Sequence, residues 1–361
     1  MRLLVLILAG LAAGCATVPS AGPSRSAATA APTAEACAAA SAYSAERRGV
    51  AVLVLKDGRP ICEIYTGDGA ADRAFPLHSG VKSFVGVMAA AAAQDRMLTL
   101  DEKVSDTITE WRSDPGRSAI TIRQLLSLSS GVPGGQVGRT PTYAAAVGTQ
   151  AVAAPGARFA YGPVPFQIFG EVMRRKLTAR GQSGDPLAYM ERRIFRPIGL
   201  NYAGWARTEG DAHLPNGAEL TAREWAKFGE FVRSGGRVNG RALVDKATLD
   251  QLFTGTAANP AYGVTWWLAR DTGATEVRMP GGAFDLSRYA AELPSDLAVA
   301  AGAGDQRLYV IPSRGLTVVR FAAFDVAAIM ARSGREQTTT APQRRWSDAA
   351  FLKLLLGETA D

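Results

Sequence analysis

The chain has 361 residues, 47% of them hydrophobic and 20% charged, with a formal net charge of +7. The positive charge comes mainly from scattered arginines, which read as a solvated surface. No basic run with interleaved aromatics occurs beyond Arg344-Arg345-Trp346, which argues against a nucleic-acid partner. With only His78 and His213, and no histidine or cysteine at metal-ligand spacing, the sequence offers neither a zinc site nor any other cofactor site.

Met1-Arg2 is followed by the apolar run Leu3-Leu4-Val5-Leu6-Ile7-Leu8 and then by small residues ending in Leu11-Ala12-Ala13-Gly14-Cys15. A positive start, a brief apolar core and a small-residue cleavage site predict a signal peptide over 1–15. It is too short to span a bilayer as a mature helix. Cys15 after Ala-Ala-Gly resembles a bacterial lipobox, which implies lipidation at Cys15. Alanine rather than aspartate at position 16 then implies a periplasmic protein anchored to the outer membrane. The alternative is an ordinary cleaved signal with an incidental cysteine. Residues 16–34 are small and polar and read as a flexible tether. Cys37 and Cys62 remain, in an oxidising compartment. They form either a disulfide between the first helix and an early strand or two buried thiols.

About 320 residues after the tether allow one large domain or two lobes sharing an active site, and the chain is taken as a monomer. The Ala-rich segment 34–47 predicts a helix. Residues 49–55 predict a buried strand, closed by the turn Lys56-Asp57-Gly58-Arg59 and paired with 60–66 as a hairpin. A long helix is expected over 81–93. The middle of the chain, 95–255, shows 3.6-residue apolar spacing broken by Gly and Pro, so a mostly helical lobe is expected there, with helices over 164–175, 186–194 and 221–233. Strand character returns over 297–301, 306–311 and 316–321, and an apolar helix closes the chain over 347–356. The expected fold is α/β of the α+β kind: an antiparallel sheet built from both chain ends, flanked by N- and C-terminal helices, with an inserted helical lobe.

At the head of the 81–93 helix stands Ser79-Gly80-Val81-Lys82, the only S-x-x-K in the chain. On a helix, positions three apart share a face, so the lysine nitrogen can reach the serine oxygen. A serine hydroxyl is a weak nucleophile until a neighbouring base takes its proton, and a partly desolvated lysine can be that base. His78 precedes the serine, but no Asp-His pair follows in triad order, so a Ser-His-Asp relay is the poorer model.

The order of segments resembles the serine hydrolases of the class C β-lactamase, penicillin-binding protein and esterase group. The pieces that carry it are Ser79-Gly80-Val81-Lys82-Ser83-Phe84, Leu98-Thr99-Leu100-Asp101-Glu102-Lys103-Val104, Ile120-Thr121-Ile122-Arg123-Gln124-Leu125-Leu126, Phe195-Arg196-Pro197-Ile198-Gly199-Leu200 and Gln306-Arg307-Leu308-Tyr309-Val310-Ile311-Pro312. The resemblance runs from about 48 to 322 and implies a β-lactamase/transpeptidase-like domain over 35–361. It places Tyr161 at the tyrosine of the group's Y-x-N motif, where Lys82 would lower the phenol's pKa so that the two titrate as a pair. Pro163 stands where asparagine would offer an amide to a substrate carbonyl. The third motif falls on Ala300-Ala301-Gly302, which keeps the glycine but lacks the preceding cation. The amides of Ser79 and Ala303 would form the oxyanion hole. These departures are similar to the nylon-oligomer-hydrolase and esterase branch.

The expected activity is therefore cleavage of a small-molecule ester or amide through an acyl-enzyme, with Ser79 as nucleophile and Lys82 with Tyr161 as base. Gly302, Ser130, Gln136 and Trp266 are further candidates for the substrate cleft, with Tyr262 and Trp267 as neighbours that could instead be core aromatics. The rival readings are a penicillin-recognising enzyme and a non-catalytic binding lipoprotein that retains the fold.

Overall fold

A computed structural model of the protein describes residues 30–272, 277–279, 282–324 and 345–357. Cys15, the leader over 1–15 and residues 16–29 of the tether lie outside these residues. The first helix, α1 (Ala34–Ala45), starts where the small polar residues end, and Thr33 caps it by accepting a hydrogen bond from the Ala36 N–H.

The main sheet has six strands: β1 (Gly49–Lys56), β2 (Arg59–Tyr65), β3 (Trp267–Leu268), β4 (Ala298–Gly302), β5 (Gln306–Ile311) and β6 (Leu316–Ala322), in spatial order β3-β4-β5-β6-β1-β2. All neighbours are antiparallel, with Val54 opposite Val318 and Ala301 opposite Arg307. The two chain ends thus meet in the middle of the sheet, as the late strand pattern predicts. β1, β5 and β6 are buried almost throughout because both faces of the sheet are covered.

Side-chain alternation shows what covers each face. Leu308, Thr317 and Phe321 point towards α4 (Ala222–Arg233), where Phe321 stacks on Trp225 at 5.5 Å between centroids. Arg307, Tyr309 and Arg320 point to the opposite face, towards α1 and the C-terminal helix α5 (Asp348–Leu356). Arg307 and Arg320 are fully buried there, which corrects the reading of the arginines as a purely solvated surface. Arg307 is paired with a carboxylate, its Nε donating to Asp348 Oδ1 at 2.8 Å, whereas Arg320 donates to neutral acceptors, Ser44 Oγ and the Asp305 and Arg47 carbonyls. Burial alone would make such charges costly, and full hydrogen bonding offsets that cost. Of the two readings open for Cys37 and Cys62, the disulfide is the one present, and it ties α1 to β2.

Between the sheet and the middle of the chain runs α2 (Lys82–Gln94), whose sequence KSFVGVMAAAAAQ is apolar on all sides and is buried on all sides. The helices expected within 95–255 are all present: α3 (Val164–Thr178), a continuous helical run over 186–198 that passes through a π turn at Glu191–Phe195, and α4. Between them lie one-turn helices such as Ile122–Leu126 and Tyr143–Val147, with a small sheet made of Phe75–Pro76, Ala218–Leu220 and Gly204–Trp205. The frequent Gly and Pro keep these shorter turns from propagating. Among the described residues no helix is long and apolar enough to cross a membrane.

Candidate active site

Ser79 lies not on the long helix but on the 3-10 turn His78–Val81 that leads into it. The tight turn keeps residues three apart on one side, so the spacing read from the sequence survives. Lys82 Nζ donates to Ser79 Oγ at 2.9 Å and to the Pro215 carbonyl at 3.2 Å. Because Lys82 opens a helix buried on every side, the residue is only 4% exposed. The rings of Tyr161 and Phe166 flank it, with centroids 4.9 and 5.2 Å from Nζ. Loss of hydration disfavours the ammonium, and the pKa falls to about 7. Near neutral pH, then, a large fraction of Lys82 is a free amine that already touches the serine hydroxyl.

Tyr161 stands across the serine, just before α3. Its hydroxyl is buried and makes no full hydrogen bond, although Ser79 and Trp267 lie close enough to act on the phenol. The expectation that a lysine cation would lower this pKa is not met. Burial outweighs the lowering effects of Ser79 and Arg307, and the value rises to about 12. Tyr161 is therefore a neutral phenol throughout the physiological range.

The third-motif strand comes close to the serine turn through Gly302. A Cβ there would lie 2.0 Å from the Leu77 carbonyl oxygen, so only glycine lets the end of β4 approach the turn. Gly302 thus packs against the chain's own backbone, and the half-buried Ala303 follows it in the chain. The Gly302 carbonyl accepts from Arg307 Nη1 at 3.1 Å, which holds this strand end from the far face of the sheet.

Other candidates are placed differently. Trp266 is fully buried in the core, stacked on Phe228 at 6.1 Å, and its neighbour Trp267 takes the place beside Tyr161, at 5.8 Å between centroids. Successive residues of an extended segment face opposite ways, so one position separates the core tryptophan from the one beside Tyr161. Phe159 and Tyr262 complete this aromatic wall, and the Tyr262 hydroxyl is buried without a hydrogen-bond partner. Ser130 is buried, and its Oγ accepts from the Val132 N–H in a local turn rather than facing the cleft. Gln136 is exposed on the glycine-rich loop. Pro163 caps α3: its carbonyl accepts from Phe166 and Gln167 N–H, a helix start where proline lacks nothing. His78 has φ +48° and packs on Phe324 at 4.5 Å, while His213 pairs with Thr208 at 2.6 Å, so neither is held by a carboxylate. Among the described residues no cluster of His, Cys, Asp and Glu could hold a metal ion.

The family model described as Beta-lactamase matches residues 34–335. The chain belongs to the beta-lactamase family. In general terms this family member is a serine hydrolase, as the order of motifs implies. Its fold is shared with distant solved structures. A hydrolase with promiscuous acyltransferase activity (EstCE1) is 16% identical, with 80% of this chain and 93% of that one covered at a TM-score of 0.61. A Bacillus anthracis protein named as a 6-aminohexanoate-dimer hydrolase is 16% identical over 80% and 79% at 0.60. A penicillin-binding-protein homologue from Caulobacter crescentus is 16% identical over 81% and 93% at 0.60. No curated protein sequence matches the chain.

Two parts of this family member's site escape sequence reasoning. The Pro215 carbonyl that orients Lys82 is 133 residues away and is a backbone atom, so no side-chain pattern marks it. Trp267 carries a signal, a Trp pair at a strand, but its phase becomes readable only once β3 is paired with β4.

Proposed function

We propose that this protein cleaves a neutral ester or amide through an acyl-enzyme on Ser79. The observation that carries the reading is the 2.9 Å contact between Ser79 Oγ and a fully buried, charge-poor Lys82 Nζ. As Oγ adds to the substrate carbonyl, its proton passes to Lys82 Nζ. The Ser79 and Ala303 N–H groups receive the oxyanion, each worth on the order of 3 kcal/mol in the transition state. When the intermediate collapses, the leaving group takes a proton from the Lys82 ammonium by way of the Tyr161 hydroxyl. A water then attacks the acyl carbonyl and gives its proton back to the Lys82–Tyr161 pair. Oγ leaves with a proton, and the free acid departs.

The side chains near Ser79 support neutral substrates. Ala300 and Ala301 bring no cation to the strand edge, and Pro163 brings no amide, so a substrate carboxylate has no partner at either place. The proposal extends to the cell: lipidation at Cys15 would tether the domain at the periplasmic side of the outer membrane. The Cys37–Cys62 disulfide supports an oxidising compartment.

The test is a side-by-side assay of p-nitrophenyl butyrate, a linear p-nitroanilide and a chromogenic cephalosporin. The ester is expected to turn over at least 100-fold faster, in kcat/KM, than the cephalosporin. A cephalosporin rate equal to or above the ester rate would replace this reading with that of a penicillin-recognising enzyme.

A further inference from the structure

A cavity of about 400 Å³ opens at the opposite end of β4 from the serine turn, between the last residues of α4, the helical segment 246–253 and the ends of β4 and β5. Ala298 lines it, and Ala298 begins the strand whose other end, Gly302, packs on the Leu77 carbonyl. Along an extended strand that separation is ~13 Å, so the cavity is distinct from the cleft of Ser79. Its size lies within the range of small-molecule sites, roughly 300–1,000 Å³. Val232, Phe253, Ala298 and Val310 supply an apolar floor.

The charged groups around this floor fall into two kinds. Lys246 and Arg233 are matched by carboxylates: Lys246 Nζ donates to Asp250 Oδ2 at 2.6 Å, and Arg233 Nε donates to Glu230 Oε2 at 2.7 Å. Arg270 and Asp296 are not matched. Arg270 Nη1 donates to the carbonyls of Ala269, at 3.1 Å, and Ser295. Asp296 accepts from the Ser313 N–H at 2.6 Å and from its hydroxyl at 2.7 Å. Among the described residues neither forms an ion pair, with the other or with any third group. Ser295 and Asp296 are consecutive, so a guanidinium and a carboxylate stand at neighbouring points of one wall. Neutral partners hold each in place and leave its charge uncompensated. The Nε–Nη2 edge of Arg270 stays open, two parallel donors that match a carboxylate. Asp296 offers the complementary place for an ammonium.

We propose that this cavity binds a free α-amino acid with a large apolar side chain, its carboxylate on Arg270, its ammonium on Asp296 and its side chain on the apolar floor. The site is separate from the Ser79 cleft and stands whatever reaction that cleft carries out.

Three compounds of one shape separate the outcomes by calorimetric titration: phenylalanine, hydrocinnamate, which lacks the ammonium, and phenethylamine, which lacks the carboxylate. Phenylalanine is expected to bind in the millimolar range, and each analogue at least tenfold more weakly, or ~1.4 kcal/mol. Arg270→Gln and Asp296→Asn should each weaken phenylalanine by a similar factor. Arg270 is exposed, and asparagine keeps an acceptor for Ser313, so both variants should melt as the parent does. Labelling Ser79 with a fluorophosphonate should leave the affinity unchanged. Equal binding of the three compounds, no binding at millimolar concentrations, or full affinity in either variant would overturn the assignment. Loss of binding after Ser79 is labelled would overturn it too, by moving phenylalanine to the serine cleft.

Discussion

Ser79→Ala should abolish ester turnover, lowering kcat/KM by roughly 10⁴–10⁶-fold, and should remove labelling by a fluorophosphonate probe. The size of the loss follows from the absence of a substitute. The next hydroxyl along the chain, Ser83 Oγ, is buried and donates to the Thr265 carbonyl at 3.2 Å. Ser127 and Ser129 bond to each other, and Ser130 closes its own turn. None of them touches a buried amine. The alanine variant removes a half-buried hydroxyl from a backbone turn and leaves the Lys82–Pro215 contact in place, so it should fold as the parent does. A variant that keeps full probe labelling would mean that another residue is the nucleophile.

Lys82→Met should cost roughly 10²–10⁴-fold in kcat/KM, the usual worth of a positioned general base. The substitution is close in length and places an apolar chain against the Tyr161 and Phe166 rings that already surround the amine. The pH profile gives an independent readout. Only the neutral amine can accept the serine proton, so wild-type kcat/KM should rise with pH and level off above about 7. Tyr161, with its pKa raised to about 12, adds no limb below pH 10. Stability follows the same group with its own sign. The unfolded lysine binds a proton up to about 10.5, whereas the folded one releases it near 7. The burial penalty is thus fully present below pH 7 and is relieved as pH rises towards 10.5. Any gain in thermal midpoint from Lys82→Met should therefore be largest in acid and fade in alkali. A rate that is flat between pH 5 and 9 in the wild type would show that Lys82 is not the base.

What the sequence makes legible here is what depends on local spacing. Ser79 and Lys82 are three residues apart, and either an α-turn or a 3-10 turn brings them together. The sheet from both chain ends is legible because β1 is a continuous apolar run and β5 and β6 are mostly apolar, each bounded by turn residues. Features that depend on partners far along the chain are not legible in this way. Arg307 and Arg320 look like surface charges until Asp348 and Ser44 arrive from the two end helices. Tyr161 looks like a phenol beside a cation until the packing shows how deeply the phenol itself is buried, which raises its pKa to about 12. Trp266 and Trp267 are adjacent and alike, and only the pairing of β3 with β4 decides which one faces Tyr161. The helices of the middle region are legible because their apolar periodicity records which face is buried, and the Gly and Pro that break it mark where the shorter turns end.

The central claim is that the Ser79 oxygen carries the acyl group. The most direct measurement is acid quenching of the wild-type protein within its first turnovers of p-nitrophenyl butyrate, followed by intact mass and peptide mapping. The account predicts a butyryl group on the peptide containing Ser79-Gly80-Val81-Lys82, attached at Ser79, and none in Ser79→Ala. A butyryl group on any other residue, or ester turnover with no covalent adduct under conditions where Ser79→Ala is equally active, would contradict it.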